Sequence, residues 1–322
     1  MGRAADLSYR ELAWATDWYL REETLTAATT AIINYQHRLP IAAAWGTGGF
    51  SSSDGQRFPV AVKASGAGLL PPRYGPGLGA TIYTHTSDQH SQYATRVVRP
   101  TDREATYVLD GILDNTTELD IAEHTTDTAE QTELLFCLTD LLGIGFIPRI
   151  RDLAHQRLYR PGPASDYQAF AYAGPLLGHR LNRDRILTRW EDLLRVAGSL
   201  KRGTVSASLL ISRLQAAPNQ NRLTEALREY GRLVKTAFIV RYLTSQQLRR
   251  RIQLHLQRMV AASRLDWLVG GTPARCPTAT RSCHPSTLAA HPRCCSTANT
   301  MRWHRSPPCG NCTGDWSRQA CP

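Results

Sequence analysis

No run of apolar residues in this 322-residue chain approaches the ~18 that a membrane-spanning helix needs, so a protein built around such a helix is excluded. The first stretch, MGRAADLSYRE, has no apolar core of the kind that marks a signal peptide, which makes the cytoplasm the expected compartment. Lysine is almost missing: Lys63, Lys201 and Lys235 are the only ones, so 35 of the 38 basic residues are arginine. Cysteine is scarce through the body, where Cys137 stands alone, while seven crowd the last 53 residues. The Gly- and Pro-rich loop from Gly66 to Gly79 lacks the Gly-Lys-Ser/Thr ending of a P-loop, so no ATP site is read there. No Gly-x-Ser-x-Gly elbow surrounds Ser51, Ser52 and Ser53, which removes the usual serine nucleophile. From Gly270 to Pro322 there is no Val, Ile, Phe, Tyr, Lys or Glu and one Leu, too little to bury a core.

What remains is a chain of soluble globular composition, 42% hydrophobic and 20% charged, long enough for one large domain or two ordinary ones. Its net charge of +11 suits a phosphate-rich partner, although the last 53 residues supply +5 of it. Ser8-x-x-Glu11 is a capping box that opens a helix. Leu25, Ala28, Ile32 and Tyr35 recur at helical spacing and give a second helix an apolar face before Pro40 ends it. Strands are expected over the serine run and Phe58–Val62, then over Ala80–Thr86 and Gln92–Val98, which form a hairpin about SDQHS. A second capping box, Thr101-x-x-Glu104, is read as the start of a helix with Tyr107, Leu109, Ile112 and Leu113 inward. A strand from Leu119 to His124, a helix to about Leu142 and a strand over Gly145–Ile150 follow, and beyond Tyr159 the periodicity is helical.

Three antiparallel strands followed by alternating helices and strands predict an α/β fold with a ribonuclease-H-like mixed sheet and flanking helices. A helical lead-in precedes the sheet and a helical half follows it. In that arrangement the first and fourth strands pair side by side. Asp54 and Asp127 fall on those two strands, 73 residues apart. Carboxylates brought that close repel one another unless a cation lies between them. Mg²⁺ suits such a site because it takes few protein ligands and leaves room for water and phosphate. With a third carboxylate, two ions could stabilise the attacking and leaving oxygens of an in-line displacement at phosphorus. The same residues also admit a reading as an Asp-Gly turn at Asp54 and a helix cap at Asp127. His85, His90 and His124 are candidates either for lining that cleft or for structural roles, and Lys201 and Arg202 for a DNA backbone contact or a solvated loop.

At these residues the chain resembles the catalytic domain of the Tn-three family of transposases. The blocks that carry the resemblance include LAWATDWYLREETL, SSSDGQRFPV, YTHTSDQ, ATYVLDGIL, EHTTDTA, PRIRDLAHQRLY, SLKRGTVSASL, ALREYGRLVKT and LRRRIQ, spanning Leu12 to Gln253. The resemblance implies an Asp-Asp-Glu metal triad, with Asp54 and Asp127 at the two Asp positions. Such an enzyme nicks 3′ ends at terminal inverted repeats and joins them to target DNA. Its partners would be transposon-end and target DNA and other transposase copies, and its place the nucleoid. The family's N-terminal end-recognition regions are not matched, so Met1 is expected to lie inside a longer reading frame.

The third carboxylate is where the sequence departs. The family Glu closes an Asn-Lys-Gly-Glu run after the block matched by LRRRIQ, and here that position is Val260. Glu229 is a substitute candidate, although its helical position makes it a solvated partner of Arg232. Residues 1–44 are read as a helical lead-in, 45–160 as the ribonuclease-H-like core and 161–260 as the helical part. Residues 261–322 are read as a disordered tail, expected to be translated out of frame. Cys309-x-x-Cys312 with Cys294, Cys295, His291 and His304 offers the alternative of a zinc site in that tail. Loss of the third carboxylate leaves a catalytically silent remnant that interferes with a full-length transposase as the competing functional reading.

Overall fold

A computed structural model describes residues 7–60, 66–70, 77–127, 132–216 and 221–270, with side chains up to Val260. The proposed zinc cysteines, the tail beyond Gly270 and the tip of the Gly- and Pro-rich loop lie outside the described residues. Helix α1 (Tyr9–Tyr19) opens on the expected capping box: Ser8 Oγ accepts from Glu11 N, and Ser8 N donates to Glu11 Oε2 at 2.8 Å. Helix α2 (Glu22–Arg38) ends before Pro40 as read. Its Leu25, Ile32 and Tyr35, however, face solvent, and Ile33 is the residue it buries. Polar clasps set that orientation. Gln36 Nε2 donates to Gln89 O and His37 Nδ1 bonds Gln89 Oε1, both at 2.8 Å, while Asn34 Oδ1 accepts from Glu118 N.

The strands follow as β1 (Phe50–Val60), β2 (Gly68–Leu69), β3 (Leu78–Ser87) and β4 (Gln92–Val98). After helix α3 (Val108–Leu113) come β5 (Glu123–Thr126), α4 (Glu133–Leu141) and β6 (Gly145–Phe146). In the sheet, β3 lies between β1 and β4, antiparallel to both, while β5 and β6 continue from the other edge of β1 in parallel. The first and fourth long strands are therefore neighbours, as the order of elements predicts. The expected capping box at Thr101 is absent: α3 begins at Val108 without a side-chain cap, because Glu104 is drawn into an ion pair with Arg57 of β1. Strand β5 starts four residues later than expected, since Leu119 and Ile121 serve as buried plugs ahead of it.

Short elements β7 (Tyr159–Arg160), α5 (Ala173–Leu176) and β8 (His179–Arg180) lead into the helical half. There α6 (Arg183–Thr188), α7 (Trp190–Lys201), α8 (Ala207–Ala216), α9 (Arg222–Thr244) and α10 (Gln246–Gly270) follow in turn. Leu135, Phe136 and Leu138 of α4 are fully buried and join Leu193, Leu227 and Ile239 in one core. Each such side chain is worth about 1.5–3 kcal/mol of burial. The buried middle of α4, Leu134 to Thr139, sits against α9, and buried Asp110 of α3 accepts from Ser208 N at 3.0 Å, anchoring the start of α8. Helix α10 crosses the sheet: Arg251 lies 4.3 Å over the Phe50 ring, His255 packs on Phe50 and Met259 reaches Ser52.

Candidate active site

Asp54 stands in the middle of β1, paired with Thr84 of β3, which excludes the Asp-Gly turn reading. Gly55 lets the Glu104 carboxyl group come close to the strand: a Cβ there would stand 2.5 Å from the Glu104 carboxyl carbon and push that side chain aside. The β1–β5 register runs from Phe50↔Glu123 to Ser53↔Thr126, and its next step brings Asp127 level with Asp54. Because strand side chains alternate, Asp54 and Ser52 share one face, and Ser51 and Ser53 the other. Asp127 does not cap α4, whose N-cap is Thr132, accepting from Leu135 N at 3.2 Å. Instead Asp127 Oδ1 accepts from Arg149 Nη2 at 2.7 Å and is about half exposed.

By surface area Asp54 is open, yet the protein packed around it still strips hydration, and its pKa is raised to about 6. Loss of hydration is the largest cause, followed by the Glu104 charge and, more weakly, the Asp127 charge. The Gly55 N–H, which donates to Asp54 Oδ1 at 2.9 Å, and Arg57 act the other way. A carboxylate that resists ionisation because other carboxylates are near is relieved by a cation, and Mg²⁺ needs only one or two protein carboxylates. Asp54 and Asp127 fit that requirement. Among the described residues no group of three or more His, Cys, Asp or Glu is gathered to hold a metal ion. Val260 is half-buried on α10, one residue beyond Met259, whose sulfur accepts from Ser52 Oγ at 3.2 Å. Ser52 is two residues before Asp54 on the same face, so position 260 lies on the helix that covers the Asp54 side of the sheet.

The raised Asp54 pKa has a defined consequence for the metal-free protein. Folding raises this pKa from the unfolded 3.8, so the stability it contributes is complete below pH ~4 and is lost as pH rises through about 6. Asp54→Asn is therefore expected to melt higher than wild type at pH 7.5 in EDTA and to lose most of that advantage by pH 4.5. Thermal denaturation at the two pH values measures this, and equal differences at both would contradict the shift.

The other candidates lie elsewhere. Glu229 is buried, not solvated: its oxygens accept from Arg232 Nη1 at 2.7 Å and Asn182 N at 3.2 Å, which ties α9 to the start of α6. Lys201 and Arg202 are exposed at the C-terminal end of α7. His85 and His124 are buried with ring centroids 5.5 Å apart, on the sheet face away from Asp54, because His124 bonds Ser51 and Ser53. Burial holds the pKa of His85 down at about 4 and that of His124 well below the ordinary value, so both are neutral. His90, at φ 65°, packs edge-on against Trp45 at the hairpin tip. The Arg57–Glu104 pair beside Asp54 escaped sequence reasoning because the two are 47 residues apart and Glu104 also satisfies a capping pattern.

A family model described as the Tn3 transposase DDE domain matches residues 1–268. The chain is 44% identical over 259 residues to the transposase for transposon Tn501 of Pseudomonas aeruginosa, covering 80% of this chain and 26% of the relative. It is 43% identical over 252 residues to the transposase for transposon Tn1546 of Enterococcus faecium, covering 78% and 25%. With the transposase for transposon gamma-delta of Escherichia coli (strain K12) the identity is 35% over 252 residues, again covering 78% and 25%. The chain thus spans about a quarter of the length of the curated relatives it matches.

Proposed function

The chain belongs to the family of the Tn3 transposase DDE domain, and on that premise we propose that it is the catalytic piece of a DNA transposase. Its chemistry is metal-dependent phosphoryl transfer: nicking of 3′ ends at terminal inverted repeats and joining of those ends to target DNA. The observation that carries the reading is the parallel register of β1 and β5, which ends on the Ser53–Thr126 pair and leaves Asp54 and Asp127 as the next residue on each side, near enough for the Asp127 charge to act on Asp54. When bound, divalent metal would supply Lewis-acid stabilisation of the oxygens exchanged at phosphorus. The residues present would hold it with the Asp54 and Asp127 carboxylates, keep Asp127 aimed through Arg149, and seat the site under α10. Two ions need a third carboxylate, and Val260 stands where the family Glu is expected. Activity is accordingly low, and the test is restoration of that carboxylate by Val260→Glu, assayed on inverted-repeat DNA with Mg²⁺.

The same valine favours a second reading, a silent remnant that binds DNA and interferes with a full-length transposase by mixed assembly. Exposed Lys201 and Arg202 at the end of α7 are the proposed backbone contacts. The double variant Lys201→Ala/Arg202→Ala is expected to weaken DNA binding uniformly across sequences. It should also lower the slope of log K against log salt by roughly 2, about one for each phosphate no longer neutralised. Filter binding at several salt concentrations reads both, and an unchanged slope would remove these two residues from the interface.

A further inference from the structure

The parallel pairing that brings Asp127 beside Asp54 extends over the four pairs from Phe50↔Glu123 to Ser53↔Thr126. A slip of one residue would turn every side chain of β5 to the opposite face and displace Asp127, the residue that follows it. Across this short pairing one imidazole makes two bonds: His124 Nδ1 with Ser51 Oγ at 2.7 Å and His124 Nε2 with Ser53 Oγ at 2.9 Å. Both serines are also held from their other side: Tyr93 donates to Ser51 Oγ at 3.1 Å, and Ser53 Oγ shares a 2.6 Å hydrogen bond with the Tyr83 hydroxyl. Ser51 and His124 are fully buried and Ser53 is 1% exposed, so water does not replace either bond. Helix α3 closes over this face, and Gly111 admits the neighbouring His85 ring, which a Cβ there would meet at 2.2 Å. Two serines spaced by two on one strand match the two nitrogens of one ring in a single register.

We propose that His124 is a positioning residue for the metal site: its bridge to Ser51 and Ser53 locks the β1–β5 register, and so the separation of Asp54 and Asp127, from the opposite face of the sheet. The inference rests on the reading of those two aspartates as metal ligands. The test is Mn²⁺ binding to the purified chain, followed by electron paramagnetic resonance. His124→Phe fills the space without either bond and is expected to weaken Mn²⁺ about 10- to 100-fold, as loss of groups that orient metal ligands does. Ser51→Ala/Ser53→Ala should do the same, and it decides the matter where the Phe variant does not fold. His124→Asn, with one donor and one acceptor on a shorter arm, should fall between. Leu200→Ala in the core of α7 should lower the melting temperature and leave Mn²⁺ affinity unchanged, separating positioning from general stability. Wild-type affinity in both bridge variants overturns this proposal alone, whereas a wild-type chain that takes up no Mn²⁺ removes the metal-site reading and the proposal with it.

Discussion

Val260→Glu is expected to raise Mg²⁺-dependent nicking of inverted-repeat DNA by roughly 10²- to 10³-fold over the unmodified chain, about 3–4 kcal/mol at ~1.4 kcal/mol per tenfold. The position lies on α10 next to Met259, which touches the strand that carries Asp54. Val260 is half-buried, so a longer carboxylate side chain has an outlet and breaks no packed core. Glu is also a better helix former than Val, and the backbone has no reason to resist the change. Adding a third negative charge should push the Asp54 pKa further up in EDTA, so the variant is expected to melt lower than wild type above pH 6 without metal. With Mg²⁺ it should gain more than wild type. The double variant Asp54→Ala/Val260→Glu must return to background. Nicking and metal-induced stabilisation both unchanged in Val260→Glu would sink the assignment of position 260.

Gly231→Ala is expected to cost ~3 kcal/mol or more, a fall of roughly 4–5 °C or more in melting temperature for a chain of this size, or to prevent folding. The reason is the closeness of α9 to α4: a Cβ at 231 would stand 1.8 Å from the Glu133 carbonyl oxygen and 2.6 Å from its carbon. Those are backbone atoms, which cannot swing aside as a side-chain tip can, so the two helices would have to separate. Helix propensity alone points the other way, since Ala is favoured over Gly by about 1 kcal/mol within a helix. The steric term therefore decides the sign. Gly198→Ala on α7 is the control, because nothing lies within 4 Å of its Cβ position and propensity should make it neutral or stabilising. A melting curve for Gly231→Ala within 2 °C of wild type would contradict the close approach of α9 to α4.

The sequence by itself determined the order and kind of the elements around the site. Capping at Ser8, the stop at Pro40, the β-rich runs of β3 and β4 and the apolar spacing of α4, α7 and α9 are local signals, because period and end chemistry reside in neighbouring residues. With that order known, the pairing of the Asp54 and Asp127 strands followed, as did the family, from ordered blocks along the chain. Which way those elements face was decided by tertiary structure. Leu25, Ile32 and Tyr35 form an apolar stripe that turns to solvent, because polar clasps from Asn34, Gln36 and His37 to residues more than 50 positions away hold α2 by its other side. Glu104 reads as a helix cap and becomes the partner of Arg57, and Glu229 reads as solvated and is buried. His124 reads as one strand histidine among several, yet its two bonds reach residues 71 and 73 positions back. Periodicity carries the direction of a side chain only within its own element. What that side chain meets depends on which distant element is packed against it, and proximity across such separations exists only once the chain has folded.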